Sequence, residues 1–215
     1  MTSSRAAGWP LLVGAALLFL AQIPQSVLFG GDDTARYAQQ ALWVPTSLVS
    51  VAGAILLLWG LPILYANARA RGLGWMGGVG SFLIFIGGSM FGIFFSLLSV
   101  IFLPYLVTRV PNILSDSAPA GLFPFFLIAT IALILGSILL AVPLVRGKAF
   151  SRWPGYVLLV SAAAGIVGFF LTGPGNTSLV GIIVEGVNSF LLFAGLGWLG
   201  YEMITMPRAE EALSS

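Results

Sequence analysis

The chain has no cysteine and no histidine, and only 7% of its residues are charged. Without thiol and imidazole side chains it forms no disulfides, and most transition-metal, haem, thiolate and Ser-His-Asp chemistry is excluded. Soluble domains carry about 25% charged residues, so this composition also excludes a soluble domain. We therefore predict no metal site, no cofactor and no catalytic residue, and we expect a protein that is not an enzyme.

In place of charge the chain has long apolar stretches, with 59% hydrophobic residues and a mean hydropathy of +1.05. A membrane-spanning helix needs about 20 predominantly apolar residues. Six stretches reach that length, at residues 9–29, 42–66, 73–107, 121–145, 153–172 and 179–201. The sequence therefore predicts an all-α protein, a single bundle of six transmembrane helices in a lipid bilayer.

The basic residues predict how these helices are oriented. Arg5 also fits a signal peptide, but no convincing small-residue cleavage site follows, so we interpret the first stretch as a retained helix. Six spans place both termini on one side, and seven of the nine basic residues then fall on that side. Only Arg36 and Arg109 fall on the other side of the membrane. By the positive-inside rule we expect a multi-pass protein of a bacterial cytoplasmic membrane with both termini inside. The net charge of only +2 indicates no nucleic-acid partner.

The last apolar stretch carries Glu185, the only ionisable side chain near the middle of any such stretch. Gly181, Asn188, Ser189 and Leu192 fall on the same face of a helix, at spacings of three, four or seven residues. A carboxylate that faces lipid is expensive. This small and polar face is therefore predicted to turn toward other helices or toward a water-filled cavity.

Other polar side chains concentrate in the outer half of the predicted bundle. Gln22 and Gln25 lie toward the outer end of the first helix, and Arg109 could extend its side chain toward the carboxylate from the membrane surface. The candidate ligand-binding residues are Glu185, Asn188, Gln22, Gln25 and Arg109. They predict an outward-facing polar pocket that binds a small molecule or a cation, in a binding protein or a protein related to transport.

Two other functions stay open. The same groups could hydrogen-bond one another to hold the helices together, with Glu185 protonated or paired with one arginine, in a scaffold or an accessory subunit of a membrane complex. An intramembrane enzyme is less favoured, because one deep carboxylate without histidine or cysteine offers no nucleophile with its base and no paired acids. A scaffold predicts a pocket filled by side chains, whereas a binding protein predicts an open cavity that reaches Glu185.

A ridge of small residues in the third stretch predicts close helix packing. Gly88, Gly92 and Ser96 recur every four residues, and small residues let neighbouring backbones approach in a membrane. We expect this ridge to pack against another helix of the same chain. Homo-oligomerisation through the ridge is the alternative.

Three segments, WVPTSLVSVAGAILLLWGLPILYANARARGLGW, RWPGYVLLVSAAAGIVG and FLLFAGLGWLGYEM, carry a resemblance together with the loop GDDTARYAQ. In these segments the chain resembles a widespread set of six-helix bacterial membrane proteins of unknown function. The resemblance covers nearly the whole chain and implies the same topology. Its motifs are turn, anchor and packing residues, so it implies no substrate and no catalytic residues.

Overall fold

The computed structural model describes residues 4–28, 40–69, 73–109, 122–147, 150–172 and 179–205. Within these ranges the chain is helical and has no strand, which confirms the predicted all-α class. Five of the described helices are long and apolar enough to cross a membrane. The described apolar part of the first helix is shorter, Gly8–Ile23. The chain is thus a helical protein of the multi-pass membrane type.

Six helices follow one another along the chain. They are α1 (Ser4–Leu28), α2 (Trp43–Arg69), α3 (residues 74–109), α4 (Leu122–Arg146), α5 (Trp153–Thr172) and α6 (Leu179–Thr205). Pro45 and Pro154 lie in the first turns of α2 and α5, where a proline removes no intrahelical hydrogen bond. Gly74 begins α3 with a φ of 63°, a left-handed conformation that suits glycine at this tight turn. Helix α3 contains two π-helical stretches, Ser89–Phe95 and Leu98–Phe102.

The helices form a closed ring. Each helix packs against the next one along the chain, and α6 packs against α1. We call the end at which α2 and α4 finish, at Arg69 and Arg146, the basic end. The opposite end, where α2 begins at Trp43 and α6 begins at Leu179, is the distal end. Because the helices surround a common axis, each one presents a face to the middle of the ring.

The interior of the basic half is filled by large side chains. Leu11, Leu61, Leu64, Leu144 and Leu199 come from four different helices, and each is at most 1% exposed. In a membrane the lipid is as apolar as leucine, so such contacts stabilise the bundle through close van der Waals packing and not through escape from water. This half of the ring therefore has a solid core.

Glycines allow the helices to approach closely enough for this packing. A Cβ added to Gly80 of α3 would lie 2.8 Å from the carbonyl oxygen of Gly136 in α4. A Cβ added to Gly14 of α1 would lie 2.7 Å from the carbonyl oxygen of Gly53 in α2. Real Cβ atoms do not come this close to backbone atoms, so the two helix pairs depend on glycine at these positions.

Helix α6 extends to Thr205, beyond the predicted end at residue 201. The reason is Glu202, whose side chain is only 9% exposed. The backbone N–H of Ser151 donates a hydrogen bond to Glu202 Oε2 at 2.9 Å, and the Ser151 hydroxyl donates to Oε1. A carboxylate is well placed beside the start of α5, because the first N–H groups of a helix are not bonded within it. We call this pair of hydrogen bonds the Glu202–Ser151 clasp.

Candidate ligand-binding cavity

A cavity of about 530 Å³ lies inside the distal half of the ring, and all six helices contribute to its wall. Pockets that bind small molecules commonly measure about 300–1,000 Å³. Among the described residues that line it, Glu185 is the only one with an ionisable side chain. The cavity therefore has the size of a ligand site and a single acidic group.

The wall changes from polar to apolar with depth. On α2 the lining begins with Ser47 and Ser50 near the distal end and continues with Leu57 and Leu58. On α6 the polar lining residues are Glu185, Asn188 and Ser189, and they are followed by Leu192, Phe193 and Leu196. Because α2 and α6 both begin at the distal end, the two helices place their polar residues at the same end of the cavity. Toward the basic half the wall is mainly apolar.

Helix α6 turns one face to the cavity and the opposite face outward. Its outward positions are exposed, at Val180, Ile183, Val187, Phe190, Trp198 and Tyr201. Glu185 lies on the other face, since it is four residues from Gly181 and seven from Leu192, which are both buried. Glu185 is nevertheless exposed, and it lines the cavity. Glu185 therefore combines an inward position on the helix with an exposed side chain.

Phe169 on α5 also combines an inward position on its helix with an exposed side chain. It is four residues from Gly165 and seven from Ala162, which are both buried and line the cavity, yet Phe169 is 40% exposed. The preceding residue, Gly168, is adjacent to Glu185, because a Cβ added there would lie 3.7 Å from Glu185 Cγ. Two neighbouring residues that face inward are thus exposed close to the distal end. We call this exposed part of the wall, formed by Glu185 and Phe169, the mouth of the cavity.

Asn188 joins α6 to α5 and also lines the cavity. The Ser161 hydroxyl lies 2.9 Å from Asn188 Oδ1 and 3.0 Å from the Asn188 backbone oxygen, both of which accept its hydrogen. A Cβ added to Gly165 would lie 3.2 Å from Asn188 Nδ2, so the amide packs directly on α5. Asn188 thus holds two helices together. Sequence reasoning missed Ser161, because serine is common in apolar helices and nothing local marks this one.

The predicted ridge on α3 lies against α2 and forms part of the cavity wall. A Cβ added to Gly92 would lie 2.7 Å from Ala54 Cβ, and one added to Gly88 would lie 3.0 Å from Leu58 Cδ2. Ser96 follows on the same ridge and is buried. Because the side chains of this ridge are small, α2 can pack close to α3, and space stays open inside the ring.

The π-helical part of α3 contacts the start of α2 at the distal end. Trp43 Nε1–H donates a hydrogen bond to the carbonyl oxygen of Ser99 at 3.0 Å. Ser99 belongs to the stretch Leu98–Phe102 and lines the cavity. π-Helical turns are rare and frequently occur at functional sites. The irregular part of the longest helix is therefore part of the cavity wall.

The structure brings together some of the predicted binding residues. Gln22 lines the cavity with Glu185 and Asn188. Gln25 lies farther along α1, and its side chain is outside the described part, as is Arg36. Arg109 is exposed and is not among the described residues of the wall. The physical reason is the length of α3: Ser99 is already level with Trp43 at the distal end, and ten further residues carry Arg109 about 15 Å beyond it.

The described residues contain no group of three or more acidic side chains that could hold a metal ion. Within the same residues every buried side-chain nitrogen and oxygen has a hydrogen-bond partner. What the site offers chemically is thus one carboxyl group, several hydroxyl and amide groups near the mouth, and a mainly apolar floor. Comparison of the chain with protein-family models, with curated proteins and with solved structures found no match.

Proposed function

We propose that the protein binds a small molecule in this cavity, either as a membrane-embedded binding protein or as one part of a transport process. The observation that carries the proposal is Glu185, which is on the inward face of α6 and is exposed to a cavity of about 530 Å³. An intramembrane acid that faces a cavity commonly marks a substrate or ion pathway. The open mouth gives a ligand access to this acid.

The contrast with the basic half supports binding over a purely structural role. A scaffold gains most from a filled interior, because each unfilled space loses van der Waals contacts. The basic half is filled in this way by buried leucines such as Leu61 and Leu144. The distal half leaves its centre open and places a carboxyl group there. An intramembrane enzyme has less support, since the described wall contains one acid and no base to act with it.

We further propose six membrane spans in a bacterial cytoplasmic membrane, with both termini in the cytoplasm and the distal end outside. The support is the distribution of basic residues along the sequence, because six spans assign seven of the nine to the side of the two termini. With this orientation the mouth of the cavity faces outward. A ligand would enter from the side opposite to the cytoplasm.

Cysteine labelling tests this topology, since the chain has no native cysteine. In intact cells an impermeant thiol reagent should label Thr34→Cys and Ser115→Cys. Ser3→Cys and Ser214→Cys should react only after the membrane is opened. Labelling of Ser3→Cys and Thr34→Cys from the same side would show that α1 does not cross the membrane. The reverse pattern at all four positions would overturn the orientation.

Native mass spectrometry of the purified protein tests ligand binding. Ala162 is buried and lines the cavity, whereas its neighbour Ala163 is exposed on the outside of α5. We expect wild-type protein and Ala163→Leu to carry a bound small molecule from the cell, and Ala162→Leu to lose it because leucine occupies the space. Equal binding by both variants, or wild-type protein with nothing bound, would contradict the proposal.

A further inference from the structure

The length, the volume and the lining of the cavity indicate what kind of molecule fits it. We infer that the ligand is a lipid with a single hydrocarbon chain, whose polar head lies at the distal end and whose chain extends to the leucines of the floor. This inference rests on the proposed function, because it names the class of molecule that the same cavity would bind.

The cavity extends far along the axis of the bundle. On α6 its lining residues run from Glu185 to Leu196, which is about 16 Å at about 1.5 Å per residue. On α2 the lining from Ser47 to Leu58 covers the same length. The hydrocarbon core of a bilayer is about 30 Å thick, so one leaflet contributes about 15 Å. The cavity is therefore about as long as the chain region of one leaflet.

Length and volume together indicate one chain and not two. An extended chain advances at most about 3.6 Å for three bonds, so a chain that spans about 16 Å has about 13 carbon atoms. An apolar cavity of about 150 Å³ holds benzene, with six carbons. By proportion the cavity of about 530 Å³ holds about 20 carbon atoms. One chain with a small head fits this volume, whereas two chains that both reach the floor exceed it.

The deep wall suits a hydrocarbon chain. Leu57, Leu58, Leu192 and Leu196 line it, and a polar group placed against them would lose its hydration without gaining a partner. Ser137 also borders the cavity, but it is buried, and among the described residues every buried side-chain nitrogen and oxygen has a hydrogen-bond partner. The deep wall therefore requires no polar group from the ligand.

The distal end of the wall suits a head with hydroxyl groups. Ser47, Asn188 and Ser189 line the cavity there. A hydroxyl group has one donor and two acceptor positions, so a serine that already bonds a neighbour can still bond a ligand. A ligand hydroxyl can likewise donate to one group of the wall and accept from another. Such a head does not require a charge on Glu185.

Four glycerol esters with different chains test the inference. They are the monoesters of octanoic, tetradecanoic and octadecanoic acid, with eight, fourteen and eighteen carbons in the chain, and 1,2-diheptanoylglycerol, whose two chains together have fourteen. All four are added in equal amounts to the full chain in nanodiscs of diacyl phosphatidylcholine. Native mass spectrometry then measures how much of each ester stays bound to the protein, and empty nanodiscs correct for partition into lipid.

We expect the tetradecanoyl monoester to be bound about tenfold more than the octanoyl monoester or the diheptanoyl ester. The short chains of these two do not reach the floor, and the space left empty loses van der Waals contacts. The octadecanoyl monoester should also be bound less than the tetradecanoyl monoester, because its chain is longer than the cavity.

Two leucine variants of α6 test whether the floor sets the chain length. Leu196 and Leu199 are both fully buried, but Leu196 lines the cavity and Leu199 is not among the described residues of its wall. Leu196→Ala lengthens the cavity and should shift binding from the tetradecanoyl toward the octadecanoyl monoester. Leu199→Ala removes the same atoms from the core and should keep the wild-type preference.

The outcomes distinguish this inference from the proposed function. If the diheptanoyl ester is bound as well as the tetradecanoyl monoester, or the three monoesters are bound equally, the cavity does not select one chain of its own length and the inference is wrong. An unchanged preference in Leu196→Ala would contradict it as well. If none of the esters is bound, the inference also fails, while the molecule retained from the cell, and its loss in Ala162→Leu, decide the proposed function separately.

Discussion

Helix α6 carries one glutamate in each half of the bundle, and the two side chains have different surroundings. Glu202 is nearly buried, and both of its oxygens accept hydrogen bonds from Ser151. Glu185 is about 25 Å away along the same helix, and it is exposed to the cavity. The acid of the basic half is nearly buried and holds two segments of chain together, whereas the acid of the distal half is exposed and lines the cavity.

Gly80 in the basic half and Gly186 in the distal half differ in how closely other helices approach them. Gly80 is in contact with the backbone of α4, so that even a methyl group would displace a helix. Gly186, one residue after Glu185, has no atom of another helix within 4 Å of where its Cβ would be. The space beside Gly186 is therefore open, whereas Gly80 is enclosed by α4. Substitutions of matched size should therefore have unequal effects in the two halves.

The largest effect is expected for Gly80→Leu. Its Cβ would lie 2.5 Å from the backbone nitrogen of Leu140, so α3 and α4 must separate. Overpacking of this kind costs about 3 kcal/mol or more, and we expect little folded protein in detergent. Gly186→Leu is the control, and thermal unfolding should show a much smaller change. If the two variants lose the same stability, the packing around Gly80 and around Gly186 does not differ as described.

The next largest effect concerns the Glu202–Ser151 clasp. Glu202→Leu leaves the N–H and hydroxyl of Ser151 without their acceptor, and hydrogen bonds to a charged group contribute about 1.5–3 kcal/mol. We expect a loss of this size in the free energy of unfolding, together with fraying of α6 after Tyr201. Ser151→Ala should lose less, because the backbone N–H keeps its bond. If Ser151→Ala and Glu202→Leu have fully additive effects, the two residues do not act as one unit.

A smaller effect is expected on the ridge that borders the cavity. Gly92→Leu brings its Cβ to 2.7 Å from Ala54 Cβ, but the rest of the side chain can enter the open space. We expect a loss of about 1–2 kcal/mol in thermal unfolding experiments. Leu97→Ala alters an exposed position and should change stability by less than about 0.5 kcal/mol. An unchanged Gly92→Leu protein would show that α2 is not held against the ridge.

The smallest effect on stability is expected for Glu185→Gln, which should change the free energy of unfolding by less than about 0.5 kcal/mol. The amide keeps the shape of the side chain, and the group is exposed to the cavity. Arg109→Gln should be equally mild, because Arg109 is beyond the mouth. A strong loss of stability in Glu185→Gln would mean that this acid has a structural role like that of Glu202. If Arg109→Gln shared that loss, the two residues would act as a pair.

The helices were more predictable than the contacts between them. Each apolar stretch is a local property of the chain, and the helix ends differ from the predicted ones by a few residues. The inward face of Glu185, Asn188 and Ser189 was also predictable, because helical spacing assigns residues to faces without knowledge of the neighbours. The Glu202–Ser151 clasp was not, since its two residues are 51 positions apart in the chain.

The sequence by itself determined the class of the protein. Its low content of charged residues and its long apolar stretches require helices that satisfy their own backbone hydrogen bonds in a membrane. The tertiary structure decided that the helices close into a ring, that the ring is solid at one end and hollow at the other, and that Arg109 lies away from Glu185. These features depend on how far each helix shifts and rotates against its neighbours. Shift and rotation are set by contacts between distant residues such as Gly80 with Gly136, which no local pattern specifies.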